Sequence, residues 1–134
     1  MSNVGEPMSD VGEPMRSYAL DELMVQIIAR HRTMDARLLA FLQVFHDEVT
    51  LPIEATLLGM PVEITEFDFF DDGRGLVARC LRPGADQYLT LADLVLEPQS
   101  VAAWIHAAYR QFLGMTPHSV MRPPDWELEL DEEW

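Results

Sequence analysis

The densest run of oxygen-bearing side chains in the sequence is Asp68-Phe69-Phe70-Asp71-Asp72-Gly73. Its three carboxylates offer the hard oxygens that calcium takes, about six to eight per ion. The spacing is not that of an EF-hand. Counted from Asp68, the third position is Phe70 and the twelfth is Arg79, where a bidentate Glu would stand. A metal here would need further ligands such as Glu66 or Asp86. The plainer reading is a solvated turn, because Asp and Gly favour turn geometry.

Other reactive types are sparse. The four histidines, His31, His46, His106 and His118, form no short paired-ligand spacing. Cys80 is the only cysteine, so it can join neither an intrachain disulfide nor a multi-cysteine zinc site. Arg79 and Arg82 flank it and could lower a thiol pKa, whereas a cysteine on a strand more commonly packs as a small hydrophobe. Ser17 and Ser100 sit where helix caps are needed. Gly73-Arg74-Gly75 lacks the length and the following helix of a phosphate loop. These residues carry no enzyme signature.

Two surfaces could instead recognise a partner. One is the aromatic set Phe67, Phe69, Phe70 and Tyr88. The other is the C-terminal stretch, where Trp126, Leu128 and Leu130 alternate with Glu127, Glu129 and Asp131. That period of two gives one apolar and one acidic face, suited to an edge strand or to β-addition on a partner. A mobile terminus is the plainer alternative.

Charge narrows the partner. The chain has 134 residues with 23 acids and nine bases, all arginine, for a net charge of −14. Such a surface repels phosphate backbones and anionic lipid, and favours divalent cations or a basic protein. The charge is unevenly placed. Residues 125–134 contribute −6 and residues 1–15 contribute −3, leaving −5 for the 109 residues between. With 49% apolar residues the chain can build one core, and its length suits one domain. No apolar run reaches the roughly 18 residues of a membrane helix, and the N-terminus lacks a signal-peptide layout, which points to the cytoplasm.

These residues must be positioned by elements whose patterns are legible. Residues 1–16 hold the tandem repeat MSNVGEP/MSDVGEP and read as a flexible tail, with the start at Met1, Met8 or Met15. From Ser17, Leu20, Met24, Ile27, His31, Met34, Leu38, Phe41 and Phe45 follow a helical period. This is one long helix, or two if Thr33 caps a second, and its apolar stripe covers a core or pairs two chains as a homodimer. Residues 51–97 read as five short strands, with turns at Gly59, Asp71–Gly75 and Pro83–Asp86 and a single helical turn at Ala92-Asp93-Leu94. Pro98-Gln99-Ser100 opens a last helix that Gly114 can end. Residues 17–115 thus form one helix–barrel–helix domain, and residues 116–134 an acidic tail containing prolines. The fold class is α+β: a small SH3-like five-stranded antiparallel β-barrel flanked by an N-terminal and a C-terminal helix, with an antiparallel meander open on one face as the plainer alternative.

Leu51-Pro52-Ile53-Glu54-Ala55, Gly59-Met60-Pro61-Val62-Glu63-Ile64 and Leu89-Thr90-Leu91-Ala92-Asp93-Leu94 are followed by a helix carrying Trp104 and Tyr109. Over about residues 51–113 this order resembles a family of small bacterial calcium-binding proteins, represented by a cyanobacterial cytosolic calcium buffer. The resemblance implies an SH3-like barrel with packed helices and calcium binding by acidic surface residues. The family's ligands match no particular positions here. The expectation is a non-enzymatic cytosolic protein, binding calcium or acting as a protein-interaction module.

Overall fold

A computed structural model describes residues 18–131, 133 and 134. The N-terminal repeat, its candidate start residues and the Ser17 cap lie outside the described residues. Helices α1 (Tyr18–Ile28) and α2 (Met34–Glu48) come first, so the long helical pattern is divided in two. Thr33 explains the division. Its hydroxyl accepts the Ala36 amide proton at 3.0 Å, satisfying one of the free donors of a new helix. His31, drawn onto the stripe by its spacing, lies in the link between the helices. Most of the stripe is covered within the chain: Leu20, Leu23, Ile27, Leu38, Phe41 and Phe45 are buried, whereas Met34 is exposed.

Strands β1 (Ile53–Leu57), β2 (Met60–Phe69), β3 (Leu76–Arg82), β4 (Ala85–Thr90) and β5 (Val95–Leu96) form one antiparallel sheet in the order β4-β3-β2-β1-β5. A single 3-10 turn, Leu91–Asp93, precedes β5 as the sequence suggests. The expected barrel does not close. β4 and β5 are the two edges of an open sheet, and β5 is only two residues long. Helices take the place of the missing strand contacts. α3 (Val101–Phe112) packs on α1 and α2, and its Trp104, Ile105, Ala108 and Tyr109 are buried in the common core.

The caps of α3 follow its sequence. Ser100 Oγ accepts the Ala103 amide proton at 3.0 Å. At the other end Gly114 has φ +81°, Gly114 N donates to Gln111 O and Met115 N donates to Arg110 O. This is the six-to-one and five-to-two pattern of a Schellman motif, which needs a residue free to adopt positive φ.

One irregularity decides which way the hairpin residues point. The β2–β3 register shifts between Ile64 and Glu66. A bulge inserts an extra residue, so the inward positions change from even (Val62, Ile64) to odd (Phe67). Phe67 is only 2% exposed and packs on Phe45 with ring centres 4.9 Å apart. It belongs to the core and not to the surface aromatic set. His46 reinforces this register, its imidazole Nε2 lying 3.0 Å from the Phe67 carbonyl oxygen.

Candidate functional site

The acids of the β2–β3 hairpin are engaged locally. Asp68 Oδ1 accepts the Phe69 amide proton at 2.8 Å. Asp72 accepts from Arg74 Nε at 3.0 Å and from its backbone amide at 3.1 Å, and these bonds hold its carboxyl below the usual range. Asp86 accepts from Nε and Nη2 of Arg79, at 2.9 and 2.8 Å, with the same effect on its pKa. Glu66 stands 3.9 Å from the same guanidinium. Asp71 is exposed. Among the described residues, no three His, Cys, Asp or Glu side chains are grouped to hold a metal ion.

Of the aromatic set, Phe70 and Tyr88 meet at the surface edge to face, with centroids 4.7 Å apart. Arg74 lies over the Phe70 ring at 5.9 Å and donates to the Tyr88 carbonyl at 3.2 Å. Phe69 packs partly against the core. Cys80 is buried, and burial pushes its thiol up to about 11, so it remains protonated and unreactive near neutral pH. His106 is buried with Nε2 2.8 Å from the Leu91 carbonyl oxygen, and burial lowers its pKa to about 4. It stacks against His118 with centroids 5.6 Å apart.

The C-terminal segment is the most informative region. Its described residues form no strand, yet their alternation is used. Leu128 is buried at 8% exposure, Trp126 and Leu130 are half-buried, and Glu127, Glu129 and Asp131 are exposed. The apolar face lies on helices and not on a sheet edge. Three side-chain bonds fix the path. Gln26 Nε2 donates to the Leu128 carbonyl at 2.8 Å, Trp126 Nε1 to Glu48 Oε1 at 2.9 Å, and Trp134 Nε1 to the Ile27 carbonyl at 2.9 Å.

This docking builds a cleft of about 850 Å³ between the segment and the end of α2. Glu48, Asp125, Glu127 and Glu129 line it together with the Trp126 ring, while Arg122 is the single base. Asp125 takes φ +59°, a conformation Asp tolerates better than most residues, and it turns the chain after Pro123-Pro124. Trp126 was legible as a candidate from its place in the acidic run. Glu48 was not, because only the fold brings residues 48 and 126 together.

The chemistry offered is that of a cation receptor. Each exposed carboxylate attracts a nearby unit charge by about 1 kcal/mol in water, and an indole face adds about 0.5–1 kcal/mol for a cation stacked on it. Neither is strong alone, and several in one concavity favour a side chain bearing a delocalised positive charge. Among the described residues, no helix is long and apolar enough to cross a membrane. Comparisons with protein-family models, curated proteins and solved structures find no match to the chain, so the calcium-binding expectation rests on the short motifs quoted above.

Proposed function

We propose that the protein is a non-enzymatic interaction module that binds a basic, arginine-bearing segment of another protein. The observation that carries this reading is the cleft in which Glu48, Asp125, Glu127 and Glu129 surround Trp126. Charge and an aromatic face occur there together, on a segment held in place by hydrogen bonds to α1 and α2. Asp72 of the β2–β3 hairpin and Asp86 on β4 support a cation site less well, since both already carry arginine partners.

The test is titration with octa-arginine over a range of salt concentrations. The wild type binds with an affinity that falls as salt rises, as expected for contacts between exposed charges. Glu127→Gln/Glu129→Gln weakens binding by about tenfold, while the charge-matched Glu54→Gln/Glu63→Gln on the sheet changes it less than about twofold. Equal weakening by both pairs would show attraction to net charge alone and would remove the cleft from the account.

A further inference from the structure

A second cleft shares no lining residue with the first. It opens where the β2–β3 hairpin, the 3-10 turn, the start of α2 and the end of α3 meet, and it encloses about 570 Å³. That size lies within the roughly 300–1,000 Å³ of small-molecule pockets. Its floor is apolar, made by Leu38, Phe69, Leu113 and Met115, and its rim carries the exposed carboxylates of Asp35, Asp71 and Asp93.

The opposing charges are accounted for. Arg74 lines one wall, but its guanidinium is turned onto Asp72 and the Tyr88 carbonyl. Arg110 interacts with Asp93 through charge, yet donates its hydrogen bonds to the carbonyls of Thr116 and Ala92. The positive end of the α2 dipole is met by Asp35 in the first turn. The rim therefore presents negative charge around an apolar surface.

The spread of the three carboxylates selects the ligand. They are not grouped as metal ligands and stand on three separate elements, the first turn of α2, the β2–β3 turn and the 3-10 turn. A chain of methylenes carrying several ammonium groups matches both features at once. We infer that this cleft binds a linear aliphatic polyamine, its methylenes laid across Leu38, Phe69 and Met115 and its ammonium groups at Asp35, Asp71 and Asp93. This goes beyond the proposed protein partner and uses different residues, so either can fail without the other.

Calorimetric titration of the full chain with spermidine tests it, with butylamine, calcium chloride and octa-arginine as comparison probes. Spermidine binds one per chain, about tenfold or more tighter than butylamine or calcium. Asp71→Asn/Asp93→Asn weakens spermidine by about tenfold, whereas Glu127→Gln/Glu129→Gln leaves it unchanged. Both pairs replace exposed side chains, and circular dichroism checks that each variant keeps the wild-type fold. The inference is overturned by absence of heat up to about 10 mM spermidine, by equal loss in both variants, or by calcium binding as tightly. Octa-arginine binding that depends on Asp71 and Asp93 more than spermidine binding does would also overturn it, assigning the cleft to a protein side chain.

Discussion

The indole of Trp126 donates to the carboxylate of Glu48 at 2.9 Å, joining the C-terminal segment to the last residue of α2 across 78 positions of sequence. This bond sets one wall of the acidic cleft against the other. It also orients the Trp126 ring among carboxylates without consuming Glu127 or Glu129, which stay exposed.

The docking of the segment has a measurable stability. Leu128 is 8% exposed within the core cluster, so Leu128→Ala removes buried methyl groups and leaves a partial void. Urea unfolding of this variant should show a loss of about 2 kcal/mol, at the low end for large-to-small core changes because the site is near the surface. Trp126→Phe, which loses one partly buried hydrogen bond, should cost about 0.5–1.5 kcal/mol. Unchanged stability of Leu128→Ala would mean the segment does not pack on the helices.

A second long-range bond holds the sheet to α3. The Leu76 amide donates to the Tyr109 hydroxyl at 2.9 Å in a buried setting. Tyr109→Phe leaves that amide without a partner and should destabilise by about 1–3 kcal/mol. Gly75 beside it has φ +74°, and a Cβ there would stand 2.7 Å from the same hydroxyl oxygen. Gly75→Ala therefore combines an unfavourable backbone conformation with a clash, and thermal unfolding should show it lowering stability at least as much as Tyr109→Phe. A neutral Gly75→Ala would contradict this close approach.

His106 predicts a pH dependence with a definite sign. Its folded pKa of about 4 lies below its ordinary value of 6.5, so the unfolded chain binds the proton more readily. Its contribution is fully present above pH 6.5 and is lost as pH falls from 6.5 towards 4. The loss amounts to about 3 kcal/mol by linkage. His106→Gln should flatten the stability profile of the protein across that window, because Gln does not titrate and its amide can still donate to the Leu91 carbonyl. Identical slopes for wild type and variant in urea unfolding at several pH values would contradict the assignment.

Local patterns in the sequence predicted most elements because each has a local cause. Thr33, Ser100 and Gly114 mark helix ends through hydrogen bonds made within a few residues of themselves. The step from Val62 and Ile64 to Phe67 and Phe69 already contained the bulge as a change of parity, though its meaning for Phe67 emerges only with the register. Barrel closure was not legible, since it depends on how β4 and β5 lie relative to each other, and no short motif encodes that. The tail is the instructive case. Its alternation of Trp126, Leu128 and Leu130 with acids correctly separates inward from outward side chains, but the surface it meets is helical. Glu48 entered the cleft through tertiary packing alone.

Binding of a basic segment in the acidic cleft can be read at the Trp126 indole itself. The chain has three tryptophans, and the indole N–H groups of Trp104, Trp126 and Trp134 give separate signals in a nitrogen-15 NMR spectrum once assigned with Trp→Phe variants. On titration with octa-arginine, the Trp126 indole signal should move progressively to saturation while that of Trp104, buried in the core, stays in place. A Trp126 signal that does not move while the peptide binds would place the basic partner elsewhere and contradict the account.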